Sequence, residues 1–398
     1  WIPIIENSET NDDPLNPIFK SSIEKIKKNG DKTEIDWIHR SERFYEKLAT
    51  PDVTVSDLIG DIDPIKATNL KLSYSDEEVI HFGLIPRAHR CIFVLNELPD
   101  LQPRIQVSLF SILEEKEIQI RGFKVRLPLD IQFIFTSNPE DYTNRGTIVT
   151  PLKDRIGSQI LTHYPESVEI AKRITKQESN INSNIESKIH IPEIVRDIIE
   201  QISFEARDSD LIDSKSGVSA RMSITIMQNL VSSAERRMII NNEKETSIRM
   251  SDFNSVISSI NGKVELVYEG EEEGAEQVSY NLISDAVKSI FNKIFPKIEK
   301  LSKPDEVTPY DSILAWFSKK QLVINDDLNN KDYEKLLNEI KDVKTIIDKY
   351  VNKLDVNDEF FYIEFLLWGL EGYNKLSILR TNNGVEFKDP FNNFINKI

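Results

Sequence analysis

Apolar residues follow different rhythms in different parts of the chain. Within residues 1–165 they fall in short runs, WIPII (1–5), CIFVL (91–95), IQFIF (131–135) and SQILTHY (158–164), β-branched or aromatic and mostly without clean alternation. Runs of that kind suit parallel strands buried on both faces. Between the second and third lies DLQPRIQVSLFSILEE (100–115), where Ile105, Leu109, Ile112 and Leu113 recur at helical spacing. Asp100 is placed to cap that helix, and Pro103 is tolerated in its first turn. Alternating strand and helix predict an α/β layered unit.

Other segments break this pattern. In EIQIRGFKVRLPL (117–129), Ile118 and Ile120, then Phe123, Val125 and Leu127, alternate with polar residues around Gly122, which predicts a β-hairpin projecting from the layered unit. From residue 166 onward, segments such as 192–208 and 218–240 place apolar residues three and four apart, the helical period. YEGEEEGAEQ (268–277) has no apolar stripe to bury and reads as part of a solvated acidic linker, 268–280. Residues 281–398 read as mostly helical, with the aromatic EFFYIEFLLWGLEGY (359–373) as the core of that part. The expected organisation is therefore an α/β core over 1–165, a helical part over 166–267, the linker, and a helical domain over 281–398.

Composition narrows the chemistry. The 398 residues, 39% of them hydrophobic, suffice for a multidomain protein. No run approaches the ~18 consecutive apolar residues of a membrane span, and no basic-then-apolar leader opens the sequence, so the cytoplasm is the expected location. A formal net charge of −16 argues against general nucleic-acid binding, which needs concentrated Lys and Arg. The single cysteine, Cys91, lies inside an apolar run and reads as a core residue. The five histidines form no HExxH pair, and there is no GxSxG elbow, which disfavours zinc and serine hydrolase chemistry.

The informative feature is how the buried runs end. CIFVL is followed by Asn96 and Glu97, and IQFIF by TSN, with Asn138 just before a proline. An acid at the carboxyl end of a buried parallel strand is a recurrent way to hold a metal-bound nucleotide. Further on, TPLKDRIGSQI carries Arg155 and SGVSARMS carries Arg221, completing a nucleotide-site set of acid, amide and two arginines. Each has a plainer reading: Glu97 as a turn acid, Asn138 as an Asn-Pro loop starter, Arg155 paired with Asp154 or Glu140, and Arg221 as a solvated residue near a helix start. Arg87 and Arg90 before the CIFVL strand face an interface or nucleotide on one reading and solvent on the other.

CIFVLNELPDL, FIFTSNPEDY, PLKDRIGSQI and SGVSARMS resemble the Walker B, sensor-one, arginine-finger and sensor-two motifs of AAA+ ATPases. From SDLIGDID (56–63) through FIFTSNPEDY the chain is similar to the MoxR and magnesium chelatase I-subunit branch, continuously over roughly 53–165 and more loosely to about 262. The resemblance implies an AAA+ parallel-sheet core with an inserted β-hairpin, a helical lid over 166–267, and ATP and Mg²⁺ as cofactors. Glu97 would activate the attacking water and Asn138 would help place it. Arg155 would reach into a neighbouring subunit's site, with Arg145 a second candidate, and Arg221 would contact the nucleotide from the lid. Asn96 and Glu97 would hold Mg²⁺ through water, and Lys124 and Arg126 on the hairpin would line a pore. An arginine acting in trans implies a homo-oligomeric ring, expected to be hexameric. Partners in this branch often carry a von Willebrand A-type domain.

Two departures stand out. Asn96 occupies the position where the family usually has an Asp. The only Gly-Lys pair is Gly262–Lys263, followed by Val264 and preceded at the required spacing by Ile257, so no GxxxxGK[ST] loop is present. WIPII is expected to be the strand that comes after the P-loop helix, with the P-loop itself lying before Trp1. The leading expectation is a ring motor that remodels a protein partner or assists metal insertion. The rival is a degenerate AAA+ scaffold without turnover. Activation of transcription through a sigma factor ranks below both, because no GAFTGA-like stretch or helix-turn-helix is evident.

Overall fold

The computed structural model describes residues 1–73, 76–118, 127–138, 146–214, 216–298, 308–351, 354–381 and 383–390. They belong to two compact units, Trp1–Leu161 and Thr162–Ile398. In the first unit, β1 (Ile2–Ile5) and β2 (Ile35–Ile38) pair antiparallel. Strand β3 (Phe44–Leu48) belongs to the main sheet, while β4 (Gly60–Ile62) and β5 (Ile80–Phe82) form an antiparallel pair. Strands β6 (Cys91–Asn96) and β7 (Ile131–Phe135) complete the main sheet, parallel throughout, in the order β3-β6-β7.

The runs CIFVL and IQFIF thus form adjacent parallel strands, with Cys91 opposite Ile131 and Leu95 opposite Phe135. The other two expected strands do not join them. WIPII turns back onto Ile35–Ile38 in its own ribbon, and 158–164 is not a strand, with Ile160 and Leu161 exposed by 89% and 76%. The third strand is instead FYEKL, whose adjacent Glu46 and Lys47 interrupt the apolar run and concealed it. Strand propensity describes fit to a pleated surface, and it produces a strand only where a ladder partner is available. Among the described residues β7 has no neighbour beyond β6.

One face of the sheet is packed. Tyr45, Cys91, Phe93, Leu95 and Phe133 share a core with Ile105, Leu109 and Ile112, and the Phe93 and Phe133 rings meet edge to face at 5.8 Å. The helical period in 100–115 produces two short helices, Pro103–Ser108 and Phe110–Glu115, in place of one. Gln102, not Asp100, occupies the N-cap position; Asp100 closes a 3₁₀ turn, and Pro103 starts the helix with its φ already set. On the opposite face Phe44 and Leu48 are each 52% exposed, Ile92 39% and Ile134 43%. The base of the inserted hairpin is present as an antiparallel bridge between Glu117 and Pro128, with Ile118 and Leu127 buried. Lys124 and Arg126 lie outside the described residues, as does Arg145.

The second unit is built on helices Val168–Glu178, Glu193–Asp208, Arg221–Ile240, Ala275–Ile294 and Glu359–Gly372. The last is apolar on all sides and buried accordingly, with Phe365 and Trp368 in one core with Ile198, Leu230, Ile283 and Phe291. The stretch expected as a linker is helical: Tyr268–Glu273 forms one helix, and Ala275–Ile294 begins directly after Gly274, whose φ of 94° makes the break. Acidic residues at a helix start are favoured by the helix dipole, and the buried row from Val278 to Phe291 holds the longer helix in the core. The region expected to be mostly helical also contains a sheet, with β10 (Leu322–Asn325), β11 (Ser377–Thr381) and β12 (Gly384–Lys388) antiparallel in the order β10-β12-β11 after the two-residue pair β8 (Ile189–His190) and β9 (Thr246–Ser247). No helix among the described residues is long and apolar enough to cross a membrane.

Candidate functional site

The carboxyl ends of β3, β6 and β7 bring together polar side chains that the apolar strands position rigidly. Leu95 is fully buried, and the strand ends at the next residue, Asn96. Glu97 adopts a left-handed backbone conformation, φ 55° and ψ 50°, which an L-residue other than Asn or Asp rarely takes. The turn is fixed from β7: the Glu97 N–H donates to Thr136 Oγ1 at 3.2 Å, and the Leu98 N–H donates to the Thr136 carbonyl at 2.9 Å. The Glu97 carboxylate itself takes no hydrogen bond or ion pair among the described residues.

Asn96, half-buried, is held from both sides. Its Oδ1 accepts from Thr136 Oγ1 at 3.1 Å, and its Nδ2 donates to the Glu46 carboxylate on β3. A hydrogen-bonded chain therefore crosses all three strands, from the Glu97 backbone through Thr136 and Asn96 to Glu46. Asn138 lies three residues beyond the end of β7 at this same edge and is exposed.

At the opposite, amino end of β6 and β7 the polar groups are structural. Burial lowers the affinity of His89 for a proton, and its Nδ1 accepts the Asp130 N–H at 3.0 Å, so the ring is neutral. Burial pushes the Cys91 thiol up, in keeping with a core residue and not a nucleophile. Arg90 is occupied by Asp13 at 3.5 Å and the Pro3 carbonyl at 2.7 Å, while its own carbonyl accepts from Arg43.

The arginines differ in their engagement. Arg155 ends the helix Thr150–Arg155; its Nη2 lies 2.6 Å from Glu114 Oε2, its Nη1 donates to the Pro151 carbonyl at 2.9 Å, and its guanidinium lies over the Phe110 ring. The partner is thus Glu114 in place of Asp154, while Glu140 lies outside the described residues. Arg221, in the second unit, opens the helix Arg221–Ile240 and is exposed without a side-chain partner among the described residues. The loop before it is pinned by Tyr164, whose hydroxyl accepts the Val218 N–H at 3.1 Å, and by Arg207, which donates to the Val218 carbonyl.

Residues 37–156 match the family described as AAA domain (dynein-related subfamily). That segment is an AAA domain. It contains β3, β6 and β7 and the whole of the polar chain from Glu97 to Glu46. Among solved structures, the chain is similar to a candidate ATPase from Cytophaga hutchinsonii, at 20% identity and TM-score 0.25, covering 61% of this chain and 76% of that one. It is also similar to NtrX from Brucella abortus, at 15% identity and TM-score 0.35, covering 63% of this chain and 53% of that one. A third is a complex between the BchI and BchD subunits of magnesium chelatase, at 14% identity and TM-score 0.28, covering 61% of this chain and 75% of that one. No curated protein matches the chain.

Sequence reasoning located Asn96 and Glu97 in this AAA domain but missed Glu46 and Thr136. Glu46 sits in a strand that its adjacent charges, Glu46 and Lys47, disguised, although its place between Tyr45 and Leu48, three residues before the buried Ala49, was a usable signal. Thr136 differs from its neighbours only in being the first hydroxyl after an apolar run, and its role depends on strand register.

Proposed function

We propose that the AAA domain binds ATP with Mg²⁺ and hydrolyses it, as part of a homo-oligomeric ring motor of the MoxR and magnesium chelatase type that remodels a protein partner or assists metal insertion. The observation that carries this reading is the Glu97 carboxylate, left unpaired at the end of the central strand by a backbone turn that costs strain to hold. Glu97 accepts the proton of the attacking water, and the Thr136 bond fixes the turn that presents it. Asn138 orients that water, Arg155 reaches a neighbouring copy's site, and Arg221 contacts nucleotide from the helical part.

The donors at this edge, Glu46, Asn96 Oδ1, Glu97 and Thr136, are all oxygen atoms, which suits a hard cation. Among the described residues no three acids, histidines or cysteines are gathered as a cage. Mg²⁺ is ordinarily held by one or two carboxylates together with substrate phosphates, so this set fits it. Bound there, the cation would neutralise phosphate charge.

The phosphate cradle belongs, on this reading, to a strand and helix outside residues 1–398. The exposed face of the sheet supports it. Parallel sheets are ordinarily covered on both faces, whereas Phe44, Leu48, Ile92 and Ile134 here lie open beside a β7 edge that has no neighbour among the described residues. The rival reading, a scaffold without turnover, is favoured by the amide at position 96. In the full gene product, Glu97→Gln is expected to retain ATP binding and to lower turnover by roughly 10²-fold or more. Unchanged turnover would overturn the role of Glu97, and failure of the wild type to bind nucleotide would favour the scaffold.

A further inference from the structure

The second unit holds a cavity of about 670 Å³, within the range of roughly 300–1,000 Å³ that small-molecule sites occupy. Segments far apart in sequence wall it: β8 and β9 with their flanks, the helix Asn330–Leu337, and the start of the helix Glu359–Gly372. The buried side chains of Ile189, Ile248 and Phe361 make part of the lining apolar. Arg249 lines the same cavity and is only 2% exposed.

A buried charge is ordinarily paired with an opposite one, and Arg249 is not. Its Nη1 donates to the Leu328 carbonyl at 2.8 Å, its Nη2 donates to Asn330 Oδ1 at 2.9 Å, and its guanidinium lies 4.0 Å from the centre of the Tyr333 ring. All three partners are neutral, and no carboxylate pairs with the guanidinium among the described residues. Asp252 is already engaged: its Oδ1 accepts from the buried Arg237, and its Oδ2 accepts the backbone N–H of Arg249 at 2.8 Å. Glu364, whose carboxyl desolvation pushes up to about 7, is half-protonated at neutral pH and takes the Tyr333 hydroxyl. Two buried guanidiniums thus share little more than one negative charge, and the excess lies beside the cavity.

The other charges of the lining do not correct it. Glu186, Glu245 and Glu334 are exposed and solvated, Glu359 is paired with Lys344 at 2.7 Å, and His190 Nε2 lies 2.6 Å from Asp358 Oδ1. Acids at an open rim also disfavour a ligand with several negative charges. We propose that this cavity binds a small organic acid, its single carboxylate facing Arg249 and its apolar body lying against Ile189, Ile248 and Phe361. The site draws on residues of the second unit alone, and so stands independently of the nucleotide-binding reading.

Para-fluorobenzoate serves as the probe, because its fluorine NMR signal reports bound and free ligand without any turnover. The full chain should bind it saturably, and para-fluorobenzyl alcohol, of similar shape but uncharged, should bind roughly 10-fold or more weakly, the usual cost of losing a charged hydrogen bond. Arg249→Gln should bring the carboxylate down to the affinity of the alcohol. Lys188→Glu, at an exposed position of the lining, adds repulsion without touching the core and should weaken the carboxylate by about 2–5-fold. Inorganic phosphate should not displace the probe. Absence of saturable binding, an alcohol that binds as tightly as the acid, or unchanged affinity in Arg249→Gln would overturn the inference. If Arg249→Gln does not fold, unchanged affinity in Lys188→Glu overturns it instead. Phosphate that displaces the probe at equal affinity would overturn the assignment of a singly charged organic ligand.

Discussion

Arg155 Nη2 lies 2.6 Å from Glu114 Oε2, and its Nε donates to the same oxygen at 2.8 Å. The arginine expected to act on a neighbouring copy is therefore held within its own AAA domain. The Glu114 side chain is 61% exposed, and pairs in such surroundings contribute less than about 1 kcal/mol. The contact orients Arg155 and is weak enough to exchange for a phosphate.

That balance gives a first prediction. Arg155→Ala in the full gene product should lower ATP turnover by on the order of 10³-fold with nucleotide affinity retained. Glu114→Gln should instead raise turnover at low protein concentration, by releasing a competitor for the guanidinium. Turnover measured over a dilution series separates the two. An Arg155→Ala variant as active as wild type would remove Arg155 from the mechanism.

The exposed sheet face gives a second. In the chain of residues 1–398, Phe44→Ala and Ile134→Ala should each cost less than about 1 kcal/mol, because open side chains lose little on truncation. In a longer product whose additional strand and helix cover that face, the same substitutions should cost about 2–5 kcal/mol. Urea unfolding of both proteins checks this. Equal small costs in both would leave the face open to solvent and remove its support for an additional strand and helix.

The buried acid of the second unit gives a third. Glu364 is fully buried, and desolvation pushes its carboxyl from the usual 4.5 to about 7, while the Tyr333 hydroxyl donates to it at 2.7 Å. The folded state keeps a proton there that the unfolded chain releases. Stability should accordingly fall as pH rises from about 4.5 to about 7 and level off above. Glu364→Gln cannot titrate and should flatten that slope, whose limit is about 1.4 kcal/mol per pH unit. Urea midpoints at a series of pH values decide it; an unaltered slope in the variant would assign the dependence to other groups.

The sequence by itself determined the strands CIFVL and IQFIF, the helical character of most of the chain beyond residue 166, the buried aromatic helix, and the acid and amide after the central strand. Those features are local: an apolar run too short for a helix, a 3.6-residue period, or a polar residue that ends a buried strand has the same meaning in any fold. Tertiary structure alone decided which strands pair. It put FYEKL in the parallel sheet, turned WIPII onto IDWI, and left 158–164 without a ladder, because strand identity depends on a partner's register and not on a strand's own residues. For the same reason Glu46 and Thr136 were invisible beside Asn96. They are 50 and 40 residues away along the chain, and only the parallel register of β3, β6 and β7 brings their oxygens to one edge.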